Sequence, residues 1–188
     1  PFFKPALVGI DQYVKGSEIG QNTIKFAIIN SNKQIGNDWG TSANLIGLEG
    51  PGRYLAYAVI NWQYTFGNSE QEVIYFSLYY DSNSLPLNGA NNYTINFSDL
   101  PPHNEPGFWT ITPYEPSGYI YDNGQKNFTV GKFLTQPNIK ITLSNKMPEN
   151  PDDQFYLVTP PSDYYLLLRV YSTTNSTINY IPPPVIKN

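Results

Sequence analysis

Turn formers punctuate this chain every 8 to 15 residues, and the segments between them are rich in Ile, Val, Tyr, Phe and Thr. Such residues suit a pleated, half-buried surface. The spacing predicts strands over residues 23–29, 72–80, 92–97, 108–114, 118–121, 138–143 and 164–171. Seven short strands with short connections favour a sandwich or jelly roll over an α/β sheet. Asn88-Gly89 lies between two of these segments and Pro116-Ser117-Gly118 between another two, so each predicts a hairpin-like reversal with antiparallel neighbours. One segment departs from the pattern. In residues 51–66, Leu55, Ala58, Val59, Trp62 and Phe66 follow a helical stripe, with Pro51 at the first turn and Gly67 at the stop. The expected fold class is therefore mainly β, a jelly-roll-like antiparallel sandwich with one packed amphipathic helix, whose Leu55, Val59 and Trp62 face the sheet.

Composition bounds the function classes. The 188 residues are 40% hydrophobic, 15% aromatic and 14% charged, with a net charge of −4. A chain so apolar and so weakly charged folds rather than staying disordered. No Lys/Arg cluster supplies the basic face that phosphate neutralisation requires, which argues against nucleic acid as a partner. No apolar run reaches the 18 residues of a transmembrane helix. The absence of cysteine removes disulfides, zinc–thiolate sites, iron–sulfur clusters and thiol catalysis. No cofactor motif is present, and no Gly-rich phosphate cradle follows a strand. A first residue Pro1 reads as a processed or trimmed chain.

The motifs along the second half resemble a known family. Asn88-Gly89-Ala90-Asn91-Asn92-Tyr93-Thr94-Ile95-Asn96-Phe97, Leu100-Pro101-Pro102 and Phe108-Trp109-Thr110-Ile111-Thr112-Pro113-Tyr114 are similar to the "G-x-N-x-Y-x-x-x-F, L-P-P, F-W-S-x-x-x-Y" pattern of the domain of unknown function 1214. Gly118-Tyr119-Ile120 with Asn123, then Val130-Gly131, Leu168-Arg169-Val170-Tyr171 and Pro182-Pro183-Pro184-Val185 continue the likeness, which covers roughly residues 50 to 187. The resemblance implies a β-rich fold and no settled activity. It divides the chain into residues 1–50 with N-terminal strands and loops, the helix at 51–66, and a family-like β region at 71–187. Residues 1–50 are too short for the companion domain of unknown function 1254, which implies a single-domain member of the kind expected in bacteria or large DNA viruses. Two departures stand out. Pro51-Gly52-Arg53-Tyr54 replaces the expected G-T-D-Y opening of the helix, and the loop His103-Asn104-Glu105-Pro106-Gly107 is longer than the family's link.

His103 is the single histidine, so any Ser-His-Asp triad or histidine-ligated metal site must use it, yet it sits in a turn-rich loop and G-x-S-x-G is absent. The carboxylate pairs Glu70/Glu72, Glu105/Glu115 and Asp152/Asp153 read as solvated charges, and Asp81-Ser82-Asn83-Ser84 as a turn that lacks the rest of a calcium loop. No metal site is expected. Asn-X-Ser/Thr triplets begin at Asn92, Asn96, Asn127 and Asn175, of which Asn175, placed in a loop, is the best acceptor. The richest signal is aromatic, with 16 Tyr, 10 Phe and 3 Trp. Tyr79-Tyr80, Tyr119 with Tyr121, and Tyr164-Tyr165 put rings on strands, some facing outward. Exposed tyrosine suits sugars and protein interfaces alike.

Two function classes follow. The first is a non-catalytic binding or structural module, secreted or at a virion or cell surface, with a carbohydrate, a surface protein or a second copy as partner. The second is an enzyme of hydrolytic chemistry with a polar pocket near Asn123 and Arg169. The candidate binding residues are Arg169, Asn123, Tyr114, Tyr171 and Trp109. Alternation along 164–171 puts Leu166, Leu168 and Val170 on one face and Leu167, Arg169 and Tyr171 on the other. Both faces begin apolar, as in a strand covered on both sides, so Arg169 is expected to be at least partly buried and paired.

Overall fold

The computed structural model describes residues 9–41, 52–64, 67–124, 128–132, 134–147 and 155–188. In chain order it contains α1 (Ile10–Ser31), β1 (Lys33–Gly36), β2 (Trp39–Thr41), α2 (Tyr54–Tyr64), β3 (Val73–Leu78), β4 (Tyr93–Phe97) and β5 (Trp109–Tyr114). These are followed by β6 (Val130–Lys132), β7 (Ile139–Ser144), β8 (Tyr156–Val158), β9 (Tyr165–Tyr171), α3 (Asn175–Ile178) and β10 (Val185–Lys187). The strands form a six-stranded sheet, β1-β2-β3-β9-β5-β6, and a four-stranded sheet, β10-β4-β7-β8. All pairs are antiparallel except β7 with β8. The fold is thus mainly β and sandwich-like, as expected.

Period-2 alternation builds the shared core. Ile74, Phe76 and Leu78 of β3, Leu166, Leu168 and Val170 of β9, and Trp109 and Ile111 of β5 point inward from the larger sheet. They meet Tyr93, Ile95 and Phe97 of β4 and Ile139, Ile141 and Leu143 of β7. Phe97 and Trp109 pack ring to ring at 5.0 Å. β9 is also covered on its other face, where Leu167 joins Val73, Tyr75 and the α2 residue Ile60 in a second cluster.

Five strands, β3, β4, β5, β7 and β9, fall within or beside the expected segments, and four other expectations are corrected. Residues 23–29 lie inside α1, not in a strand. The half-buried Ile24, Ala27 and Ile28 recur at i, i+3 and i+4, the spacing of one helical face, and α1 packs on α2. β-propensity reflects fit to a half-buried pleat, and that helix–helix contact supplies a different burial. α2 forms where a helix is expected, but Val59 and Ile60 are its buried side chains among the described residues, while Leu55 and Trp62 are exposed. The helix is rotated from the expected stripe because the sheet offers Tyr75 and Leu167 to Ile60. Pro51 and Phe66 lie outside the described residues. Residues 118–121 make a reversal rather than a strand. The Gly118 N–H donates to the Glu115 carbonyl, the Glu115 N–H donates to the Tyr119 carbonyl, and pairing is limited to one Tyr114–Ile120 bridge. Asn88-Gly89 does turn, but β3 and β4 belong to different sheets and are not paired neighbours.

Several of the family-like motifs are structural. The Asn88 N–H and the Asn91 side chain donate to the Tyr93 hydroxyl at 3.1 and 3.3 Å. The Gly89 N–H donates to the Ser162 carbonyl at 2.9 Å, and an added Cβ would run into the Pro160 carbonyl. The Asn37 side chain and the Trp39 indole donate to the carbonyls of Pro182 and Pro183, so the proline run clamps the β1–β2 hairpin. Asn37 and Asp38 have φ of 51° and 61°, the left-handed pair that a tight hairpin requires. Asn175 is exposed on the short helix α3 rather than in a loop.

Candidate functional site

The second face of the six-stranded sheet carries the chemistry. Alternation puts Tyr75 and Ser77 of β3, Tyr165, Leu167, Arg169 and Tyr171 of β9, and Thr110, Thr112 and Tyr114 of β5 on this face. Register sets Tyr165 opposite Tyr114 and Arg169 between Tyr75 and Thr110. Tyr79, just past β3, stacks on Tyr165 at 5.2 Å and 25°, and Tyr165 stacks on Tyr114 at 5.5 Å and 19°. The row ends at Arg169, whose Nη2 donates to the Tyr114 hydroxyl at 2.6 Å and whose guanidinium lies 5.3 Å from the Tyr114 ring centre and 6.0 Å from that of Tyr75. A cation over an aromatic face and a charge-assisted hydrogen bond hold the end of the row in place.

At the Tyr79 end the face opens into a cleft of about 640 Å³. Its floor includes Tyr79, Tyr165 and Leu167. Ile28 of α1 and Trp62 of α2 form one wall, the turn from Pro116 to Tyr119 another, and Asp163 a third. The Asn32 side chain at the end of α1 donates to the Ser77 hydroxyl at 2.9 Å, which ties that helix to β3 beside the cleft. Asp163 is placed by the Asn88 side chain, which donates to its carboxylate at 2.6 Å, so the motif at the start of the family-like region also builds this wall. Burial raises the Tyr79 phenol above its ordinary range, with a hydrogen bond to Ser77 offsetting part of the shift. Burial likewise raises Tyr75 and, more strongly, Tyr164. These phenols therefore stay protonated at neutral pH. The buried Thr159 side chain lies beside the Tyr164 phenol and offsets part of its shift.

Of the residues singled out in the sequence, Arg169 and Tyr114 are brought into contact. Arg169 is half-buried as expected, but among the described residues its hydrogen-bond partner is a phenol, not a carboxylate. Tyr171 shares its strand face and stacks on Phe108 at 4.4 Å. Asn123 lies half-buried in the loop beyond Ile120. Trp109 is 0% exposed on the opposite face of β5, within the core, so a ligand on the site face does not reach it. His103 is half-buried, with Nδ1 donating to the Pro101 carbonyl at 2.9 Å. Asp81 closes a turn by accepting from the N–H groups of Asn83 and Leu85, Glu72 accepts from Ser69, and Asp152 and Asp153 lie outside the described residues. Among the described residues no group of three His, Cys, Asp or Glu could hold a metal, and no helix is long and apolar enough to cross a membrane. Trp62 and Asp163 were not signalled as site residues. Tyr79, Tyr119 and Tyr165 were visible only as members of tyrosine pairs.

A family model, "Protein of unknown function (DUF1214)", matches residues 72–175, more than half of the chain. Among solved structures, the VPA0106 protein from Vibrio parahaemolyticus is similar over 100% of this chain, with a TM-score of 0.63 and 18% identity. The chain spans about half of that protein, 47% of its length. An uncharacterized protein from Burkholderia cenocepacia matches 65% of this chain and 31% of its own, with a TM-score of 0.44 and 12% identity. No curated protein matches the chain.

Proposed function

The chain belongs to the DUF1214 family, whose description names no activity, and from that premise we propose that it is a non-catalytic binding module whose recognition surface is the tyrosine-walled cleft. The observation that carries this reading is the stacked row Tyr79–Tyr165–Tyr114, fixed at one end by Arg169 and opening at the other into a cleft of about 640 Å³. Rigid aromatic walls with a few polar groups give contact area at low entropic cost, and that volume is in the range of small-molecule sites. The reading carries with it a secreted, cell-surface or virion setting.

One observation favours the second reading, a hydrolytic enzyme with a pocket near Asn123 and Arg169: a half-buried guanidinium that among the described residues bonds one phenol keeps donors for an anionic or carbonyl group. The first reading ranks higher because the cleft lies at the Tyr79 end of the row, and Arg169 is not among its walls. Ring-labelled tyrosine spectra recorded with a library of small fragments test the choice. The binding reading predicts hits that shift Tyr79, Tyr119 and Tyr165 together. Fragments that shift Tyr114 and Tyr171 instead would reverse the ranking, and a library that shifts none of these rings would remove both sites.

A further inference from the structure

Resting on the cleft as a binding site, we infer that its ligand is a neutral carbohydrate, a short oligosaccharide laid against Trp62 and Tyr119 and hydrogen-bonded by Asp163. The charge of the walls comes first. Among the described residues the cleft lining includes one carboxylate, Asp163, and no Lys, Arg or His. Phosphates, nucleotides and acidic polysaccharides find no counter-charge there, and the chain's net charge of −4 disfavours them further.

The rings narrow the class. Tyr165 is stacked between Tyr79 and Tyr114, so its faces are occupied and it presents an edge. Trp62 and Tyr119 are 56% and 74% exposed and come from different walls, α2 and the turn after β5. Neither core packing nor the stacked row explains why a tryptophan and a tyrosine stand exposed at the cleft. Pyranose rings have an apolar C–H face that rests on an aromatic plane, and a rim of hydroxyls that both donate and accept.

The polar groups match that rim. The Asp163 carboxylate accepts from Asn88 through Oδ1, and its second oxygen has no partner among the described residues. The Ser117 hydroxyl donates to Glu115 at 3.3 Å, so its oxygen is left to accept. The Tyr79 phenol, already hydrogen-bonded to Ser77, stays protonated and is a further polar group in the cleft. A carboxylate among rings also describes a site for a small organic cation, but caging a cation requires rings within about 6 Å of it on several sides. A cleft of about 640 Å³ is far wider and suits a chain of sugar rings.

The test is calorimetry and saturation-transfer spectroscopy on the full chain with neutral gluco-, manno-, galacto- and N-acetylglucosamine oligosaccharides, and with tetramethylammonium and inorganic phosphate as non-sugar probes. At least one oligosaccharide should bind, and Trp62→Ala and Tyr119→Ala should each weaken it by roughly tenfold with unchanged melting temperature. Asp163→Asn should weaken it too. If no sugar binds while fragments still shift the cleft tyrosines, the carbohydrate assignment falls and the binding module stands. Binding of tetramethylammonium alone, or sugar binding indifferent to all three substitutions, also overturns the assignment. If neither sugars nor fragments touch the cleft, the binding reading falls with it.

Discussion

Replacing Arg169 by alanine removes two contacts: the hydrogen bond to the Tyr114 hydroxyl at 2.6 Å and the cation over the Tyr114 ring at 5.3 Å. A hydrogen bond with a charged donor contributes about 1.5–3 kcal/mol, and half-burial puts this one toward the lower end. The ring contact adds about 0.5–1 kcal/mol, and the Tyr75 ring, at 6.0 Å, lies at the edge of effective range. The expected loss for Arg169→Ala is therefore about 2–3 kcal/mol in urea unfolding. This is less than the about 3–5 kcal/mol that breaking a buried ion pair costs, because the partner is neutral and its release leaves no stranded charge. For a domain of this size that is a fall in melting temperature of roughly 5–10 °C. Tyr114→Phe should cost about 1–2 kcal/mol, and the double substitution should show a coupling of about 1 kcal/mol. A loss below about 0.5 kcal/mol, or single effects that simply add, would refute the claim that Arg169 anchors the tyrosine row through Tyr114.

Gly89→Ala should destabilise by more than about 2 kcal/mol, because the new methyl would meet the Pro160 backbone rather than a side chain that can move; a wild-type urea midpoint would show that the loop gives way. Trp62→Ala should cost less than about 1 kcal/mol, since the ring is exposed; a loss of several would mean that the helix docks through it. Alkaline pH should unfold the protein. Burial raises the phenols of Tyr75, Tyr79, Tyr164 and Tyr180 above the ordinary value of 10.0, so the unfolded chain releases those protons first. Stability is then fully present below about pH 10 and falls as pH rises toward the folded-state values, with phenolate absorbance appearing together with loss of structure. Complete titration of all tyrosines without unfolding would contradict it.

How much was legible in the sequence follows from segment length. β3, β4, β5, β7 and β9 have five to seven residues, enough for alternation to show, and Leu166 through Tyr171 even revealed a strand covered on both faces. β1, β2, β6, β8 and β10 have only three or four, too few to carry a period, and pairing with longer neighbours defines them. The C-terminal half of α1 carries Thr, Ile and Phe, residues that also suit a strand, and the contact with α2 selects the helix. Arg169 with Tyr114 could be reached from strand alternation. The same alternation, Thr110, Thr112 and Tyr114 against Trp109 and Ile111, would have excluded Trp109 from the site. The cleft could not be read locally, since Ile28, Trp62, Tyr79, Tyr119 and Asp163 come from five separate segments that only the completed sheet brings together.

Among the three tryptophans, Trp39 and Trp109 are 0% exposed and Trp62 stands at the cleft, so iodide quenching of tryptophan fluorescence reports on that site almost alone. The most direct measurement is that quenching with and without a saturating amount of the tightest-binding oligosaccharide or fragment. One tryptophan should be quenched in the free protein, and the ligand should shield it. Quenching of Trp62 that is unchanged by a ligand known to be bound would place recognition elsewhere on the molecule and contradict the claim that this cleft is the binding site.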